Sequence, residues 1–142
     1  MKLNPDCIRD VLLYLEENLY IEEGHKFSKI DLKQLNEALS QYDKDDIFYS
    51  VYNLHQIGYI KGKINDLNDK KMFFCEIENI TWNGHQFLNT IRPQNVWDAT
   101  KKGAKKLGIM SIHALSSIAM KIADTIVTDP SIIAKIIESM KF

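Results

Sequence analysis

Cysteine is scarce: the two present, Cys7 and Cys75, lie far apart and neither belongs to a CxxC pair, which excludes a redox or zinc site of that spacing. An apolar signal core is missing behind Met1-Lys2-Leu3-Asn4-Pro5-Asp6, so a reducing cytoplasm is the expected compartment. Long hydrophobic runs are missing as well. In the C-terminal third the longest stretch free of Asp, Glu, Lys and Arg is Leu107 to Met120, 14 residues that include Ser111, His113, Ser116 and Ser117. A bilayer span needs about 20, so no transmembrane segment is expected. HExxH, GxSxG and phosphate-loop glycine patterns do not occur, and His25, His55, His85 and His113 are scattered. No catalytic centre, metal or cofactor is therefore expected.

With 142 residues and an ordinary share of apolar and charged residues, the chain holds one domain, or one small domain with a helical extension. A net charge of -1 hides an uneven distribution. Residues 1–92 carry 11 Lys and Arg against 15 Asp and Glu, whereas residues 93–142 carry 7 against 4. A nucleic-acid module usually presents a basic face; here the first part is acidic and the tail mildly basic.

Periodicity and punctuation place the elements. Asn4 as cap and Pro5 in the first turn open a helix to about Leu19, with Ile8, Val11, Leu12, Leu15 and Leu19 as its buried stripe. Gly24 breaks the next segment, and Phe27 to Ile30 is expected as a short edge strand. Asp31 caps a second helix to Leu39, with Leu32, Leu35 and Leu39 inward. Asp43 opens a third helix to Gln56 and, with Asp46, predicts a capping box. Ile47, Val51 and Leu54 form its inward row, and Gly58 supplies a left-handed end. Tyr59 to Ile64 and Met72 to Ile77 alternate as a hairpin around Asn65-Asp66-Leu67-Asn68-Asp69. Thr81 caps a fourth helix over Trp82 to Thr90, in which Gly84 permits close approach to the sheet. Beyond Pro93, helices are expected to Leu107, over Ser111 to Val127, and from Asp129 onward.

The order helix, helix, helix, hairpin, helix resembles the winged helix-turn-helix superfamily. Two segments carry the likeness: Leu54-His55-Gln56-Ile57-Gly58-Tyr59-Ile60, and Ile80-Thr81-Trp82-Asn83-Gly84-His85-Gln86-Phe87-Leu88. The chain also resembles a small uncharacterised family of bacteria and their phages, whose label is a domain of unknown function. Its opening Met1 to Asp10, its Ile80 to Leu88 segment and Val96-Trp97 followed by lysines carry that second likeness. It implies a bacterial or prophage setting and supplies no activity or functional residues. The expectation is a mainly α, α+β chain: a winged helix-turn-helix domain over 1–92 and a helical tail over 93–142.

The third helix sets out two alternatives. Tyr49, Tyr52, Asn53 and Gln56 share its outward face, and Asn and Gln can pair with adenine edges. Asp45 and Asp46, however, sit at the end that would enter a groove, where carboxylates repel phosphate. The charge pattern favours an acidic surface for a protein partner over DNA. The hairpin lysines Lys61, Lys63, Lys70 and Lys71 serve either phosphate contact or edge-strand protection. Lys101, Lys102, Lys105 and Lys106 read as a solvated helix face. Ile112, Leu115, Ala119, Ile122 and Ile126 step by 3, 4, 3, 4, a short seam for packing within the chain or in a homodimer. The expected role is a non-enzymatic interaction protein, with a dimeric DNA-binding regulator as the alternative.

Overall fold

The computed structural model describes residues 1–65, 73–128 and 138. Among these the protein is mainly helical with small antiparallel sheets, an α+β chain, and it divides into two compact units, Met1–Gln86 and Phe87–Phe142.

The first unit opens with α1 (Pro5–Asn18), whose Asn4 side chain accepts the Cys7 amide at 3.2 Å, the cap that the sequence implied. Cys7, Ile8, Val11, Leu12 and Leu15 are buried along one stripe. The following segment departs from expectation. Instead of one edge strand over Phe27 to Ile30, two strands pair as a hairpin, β1 (Ile21–Glu22) with β2 (Lys26–Phe27), and a separate β3 (Ile30–Asp31) joins the main sheet. The turn is possible because Gly24 takes φ +82 and His25 φ +60. Two residues in left-handed backbone produce a tight reversal that the hydrophobic pattern does not encode.

Asp31 caps α2 (Leu32–Ala38) reciprocally. Its carboxylate accepts the Gln34 amide at 2.8 Å, and Gln34 Oε1 accepts the Asp31 amide at 3.0 Å. In α3 (Lys44–Gln56) the expected capping box of Asp43 with Asp46 does not form; Asp43 makes no side-chain cap bond, and the Asp46 carboxylate instead accepts from Asn4 Nδ2 at 3.4 Å. Asp is one methylene shorter than the Glu that completes such a box. Ile47, Ser50, Val51 and Leu54 are its buried row. It ends as its glycine implied. Gly58, at φ +75, donates to the His55 carbonyl at 3.0 Å, and Tyr59 donates to the Leu54 carbonyl at 2.9 Å, the two bonds of a Schellman ending.

β4 (Ile60–Ile64) and β5 (Cys75–Ile80) pair antiparallel; the expected strand start at Met72 and the turn 66–69 lie outside the described residues, and Phe73 and Phe74 precede the strand. The three-stranded sheet has the order β3-β5-β4. Its ladder shifts register between Lys61 and Gly62, where a Cβ on Gly62 would lie 2.0 Å from the Glu76 carbonyl oxygen. α1 packs on α3 and β5, α2 on α3 and β3, and α3 on β4, enclosing the core.

The two segments flagged in the sequence meet. Thr81, ahead of α4 (Trp82–Ile91), donates its amide to the Tyr59 carbonyl at 3.0 Å and its hydroxyl to the Gly58 carbonyl, while accepting the Gly84 amide at 3.2 Å. One side chain thus starts a helix and ties it to the exit of α3.

The second unit holds α5 (Gln94–Leu107), closed by Gly108 at φ +72, and α6 (Ile112–Thr128). Val96, Trp97, Thr100 and Ala104 are the buried row of α5. Gly103 lets the helices approach, since a Cβ there would meet Ile118 Cγ2 at 3.3 Å. Of the expected helix from Asp129 onward only Glu138 is described, and it is helical; the rest lies outside the described residues.

Candidate functional site

The outward face of α3 begins at its acidic end. Asp45 is exposed and Asp46 half-buried, both in the first turn, where the helix dipole stabilises carboxylates. Along the helix, Tyr49, Tyr52 and Asn53 are half-buried and Gln56 exposed. The polar groups of this face are engaged locally. Asn53 Nδ2 donates to the Tyr49 carbonyl at 2.7 Å, and Gln56 Nε2 donates to the Tyr52 hydroxyl at 2.7 Å. Phe48 stacks on Tyr52 with ring centroids 6.1 Å apart and meets Phe73 edge-on at 4.8 Å. The aromatic side chains hold one another, and each amide uses one of its two N–H donors within the helix, which biases the orientation in which it faces outward.

On the hairpin, Lys61 and Lys63 are exposed on β4. Lys70 and Lys71 lie outside the described residues. Of the α6 seam, Ile112, Leu115 and Ala119 are buried, whereas Ile122 and Ile126 are half-buried. In the lysine run, Lys101 is half-buried with Nζ 5.7 Å from the Trp97 ring centroid and 4.0 Å from Asp98. Lys102, Lys105 and Lys106 are exposed.

The four histidines sit on separate elements: His25 in the β1–β2 turn, His55 on α3, His85 on α4 and His113 on α6. Among the described residues no three His, Cys, Asp or Glu side chains are placed to hold a metal ion, and no helix is long and apolar enough to cross a membrane.

Where α1 and α3 begin, titratable groups gather. Burial raises the Cys7 thiol; the Ser50 hydroxyl opposes this, and the Asp46 and Asp10 carboxylates add to it. Burial and a hydrogen bond donated to Asp10 raise the Tyr42 phenol, reinforced by the charges of Asp10, Asp6 and Cys7. On β5, burial pushes the Cys75 thiol up to about 12, with Asp31 and Glu76 adding to the shift. All three groups are held protonated, so neither thiol is a ready nucleophile.

That arrangement makes stability fall in alkali. A denatured Cys75 ionises near its ordinary 9.0 while the folded thiol stays protonated up to about 12. The stabilisation is therefore complete below pH 9 and lost as the pH rises towards 12. One such proton gives a slope of about 1.4 kcal/mol per pH unit. A melting series from neutral pH upward should show this fall, and Cys75→Ala should reduce its slope by that one proton's share, with the raised Cys7 and Tyr42 supplying the rest. An unchanged slope in that variant would remove Cys75 as a contributor.

Sequence reasoning did not find the β1–β2 hairpin. It leaves Tyr20, Ile21 and Phe27 exposed, and only Gly24 hinted at a turn.

Three comparisons place these observations among known proteins. A family model described as "Hypothetical protein (DUF2513)" matches residues 2–110. A Haemophilus influenzae protein described as "Uncharacterized protein" is 27% identical over 124 residues, covering 86% of this chain and 95% of its own. No solved structure matches the chain.

Proposed function

We propose a function for this chain, which belongs to the DUF2513 family: it is a non-enzymatic interaction protein, built on a winged helix-turn-helix unit, that binds another protein through α3. With the β1–β2 hairpin inserted after α1, the order α1, β3, α2, α3, β4, β5 and the sheet order β3-β5-β4 support the winged-helix reading. In that scaffold α3 is the recognition helix and the β4–β5 hairpin the wing. The bacterial relative fits the bacterial or prophage setting that the family likeness implies. The observation that carries the reading is the state of α3. Its entry is acidic, and Asn53 and Gln56 each already use one amide donor, on Tyr49 and Tyr52 respectively. Such a face suits a basic protein surface better than phosphate.

The full chain, immobilised in a nuclease-treated lysate, should retain a specific basic protein. Asp45→Lys with Tyr49→Ala should release it, and Lys61→Ala with Lys63→Ala should not. Failure to retain any specific protein sinks the reading.

One observation favours the second reading, a DNA-binding regulator: Lys61 and Lys63 are both exposed on the strand leading into the wing. Such binding would fall steeply with salt, by a log–log slope of about -0.9 per phosphate neutralised. A mobility-shift series at low salt that yields no complex excludes it.

The half-buried Ile122 and Ile126, beside the exposed Met120, support a homodimer through α6. Ile122→Asp with Ile126→Asp should convert a dimer to a monomer by light scattering. A wild-type chain that is already monomeric at high concentration makes the seam an intrachain core. Leu115, fully buried, would report folding rather than association.

A further inference from the structure

We propose a second recognition site, independent of α3: the pocket between the C-terminal half of α1, the β1–β2 hairpin, the end of β5 and the start of α4 receives one large apolar side chain from a basic polypeptide segment. The pocket encloses about 160 Å³. An apolar cavity of roughly 150 Å³ takes a benzene-sized group, whereas cofactor and drug-sized ligands need about 300–1,000 Å³. Its base is apolar, formed by buried Leu15 and Ile80 with half-buried Leu19 beside them. Its rim is formed by Tyr20, Ile21 and Phe27, which are 63%, 62% and 48% exposed although large and apolar.

The rim is held open in advance. Tyr20 donates its amide to the Ser28 hydroxyl at 2.9 Å and accepts the Ser28 amide at 2.9 Å, and Ser28 is itself buried. Ile21 and Phe27 are cross-strand partners. A rim fixed by backbone bonds loses little entropy when a ligand docks.

Charge selects the partner. Glu16 and Glu78 line the pocket, and among the described residues no Lys or Arg does. The hairpin adds Glu22 and Glu23 against Lys26. Basic residues flanking the inserted side chain would meet these carboxylates. A second depression adjoins the first. Tyr20 and Phe27 also border this more polar depression of about 370 Å³, lined as well by Asn18, Gln34, Glu22 and Lys29, whose charge is met by Glu76 at 4.0 Å. An extended segment can insert a side chain in the first depression and lay polar groups in the second.

The test is a titration of the full 15N-labelled chain with acetyl-Lys-Phe-Lys-amide, read by amide shifts. Saturable shifts should appear at Ile21, Phe27, Asn79 and His85. Acetyl-Glu-Phe-Glu-amide and acetyl-Lys-Ala-Lys-amide should each bind at least tenfold more weakly. Ile21→Asp, at an exposed position, should abolish the shifts while keeping the native spectrum. Glu78→Gln should narrow the preference for Lys over Glu peptides. The inference is overturned by an absence of shifts at these amides or by equal response to both charged peptides. It is also overturned if toluene alone binds as tightly as the peptide, or if the same amides shift with protein concentration because a second copy fills the pocket. Loss of partner binding through α3 would leave these outcomes unaffected, so the two proposals fail separately.

Discussion

Replacing Gly84 by Ala should destabilise the first unit, reversing the sign that helix propensity gives. In an exposed helix interior Gly→Ala stabilises by about 1 kcal/mol. Here a Cβ would stand 2.2 Å from the Tyr59 carbonyl oxygen and 2.8 Å from Ile80 Cγ2. The side chain could adjust, but the carbonyl cannot move freely, because it accepts the Thr81 amide at 3.0 Å. Overpacking costs about 1–3 kcal/mol, and a clash with anchored backbone falls at or beyond the upper end. About 3 kcal/mol lowers the melting temperature of a unit of this size by roughly 12–24 °C. Gly24→Ala is the control: its Cβ would meet nothing within 4 Å, and only φ +82 opposes it, a cost of about 1–2 kcal/mol. Thermal melts of the two variants should therefore rank Gly84→Ala well below Gly24→Ala. Equal or higher stability for Gly84→Ala would mean that α4 does not seat on the Tyr59 carbonyl.

Gly84 also shows what the sequence carried of the fold. Caps, left-handed glycines and apolar rows lie within a few residues of their partners, so Asn4, Asp31, Gly58 and Thr81 announced the ends of helices that the structure then closes. The close approach of α4 to the sheet was legible because a glycine inside a helical pattern needs a reason. Long-range pairing was not. β5 begins at Cys75, with Phe73 and Phe74 outside it, because its register is set by β3 and β4, not by its own alternation. The β1–β2 hairpin depends on His25 at positive φ, a conformation few non-glycine residues adopt and one that no periodicity encodes.

The candidate site was legible in composition and not in geometry. Counting charges was enough to mark the entry to α3 as acidic. Knowing that Asn53 donates to Tyr49 and Gln56 to Tyr52 required coordinates, because a polar residue on an outward face can equally point to solvent or fold back on its own helix. Spacing also placed Ile112, Leu115, Ala119, Ile122 and Ile126 on one seam without showing that burial divides it after Ala119. Exposed Tyr20, Ile21 and Phe27 gave no periodic signal, since a two-residue strand is too short to show one.

Trp97→Ala should nearly abolish ordered structure in α5 and α6. Trp97 is fully buried, and truncating such a side chain costs about 3–5 kcal/mol. Whole domains are stable by only about 5–15 kcal/mol, and small units lie at the low end. Its surroundings are arranged around the ring: Lys101 Nζ lies 5.7 Å from its centroid, and Lys101 stands 4.0 Å from Asp98. One turn on, the Thr100 hydroxyl satisfies itself by donating to the Val96 carbonyl at 2.7 Å, so this polar side chain can sit buried in the same row. Removing the indole leaves a void against these groups and strips Lys101 of its aromatic contact. Trp97→Phe keeps most of the volume and should retain the helices. Fluorescence separates this effect from changes elsewhere, because the other tryptophan, Trp82, is 77% exposed while Trp97 is shielded. In a Trp82→Phe background, Trp97 should emit in the blue and resist iodide. In Trp97→Ala, amide exchange across Gln94–Leu107 and Ile112–Thr128 should rise by orders of magnitude. Unchanged exchange there would mean that the indole is not the keystone of the second unit, and that the lysines following it are held by the helix alone.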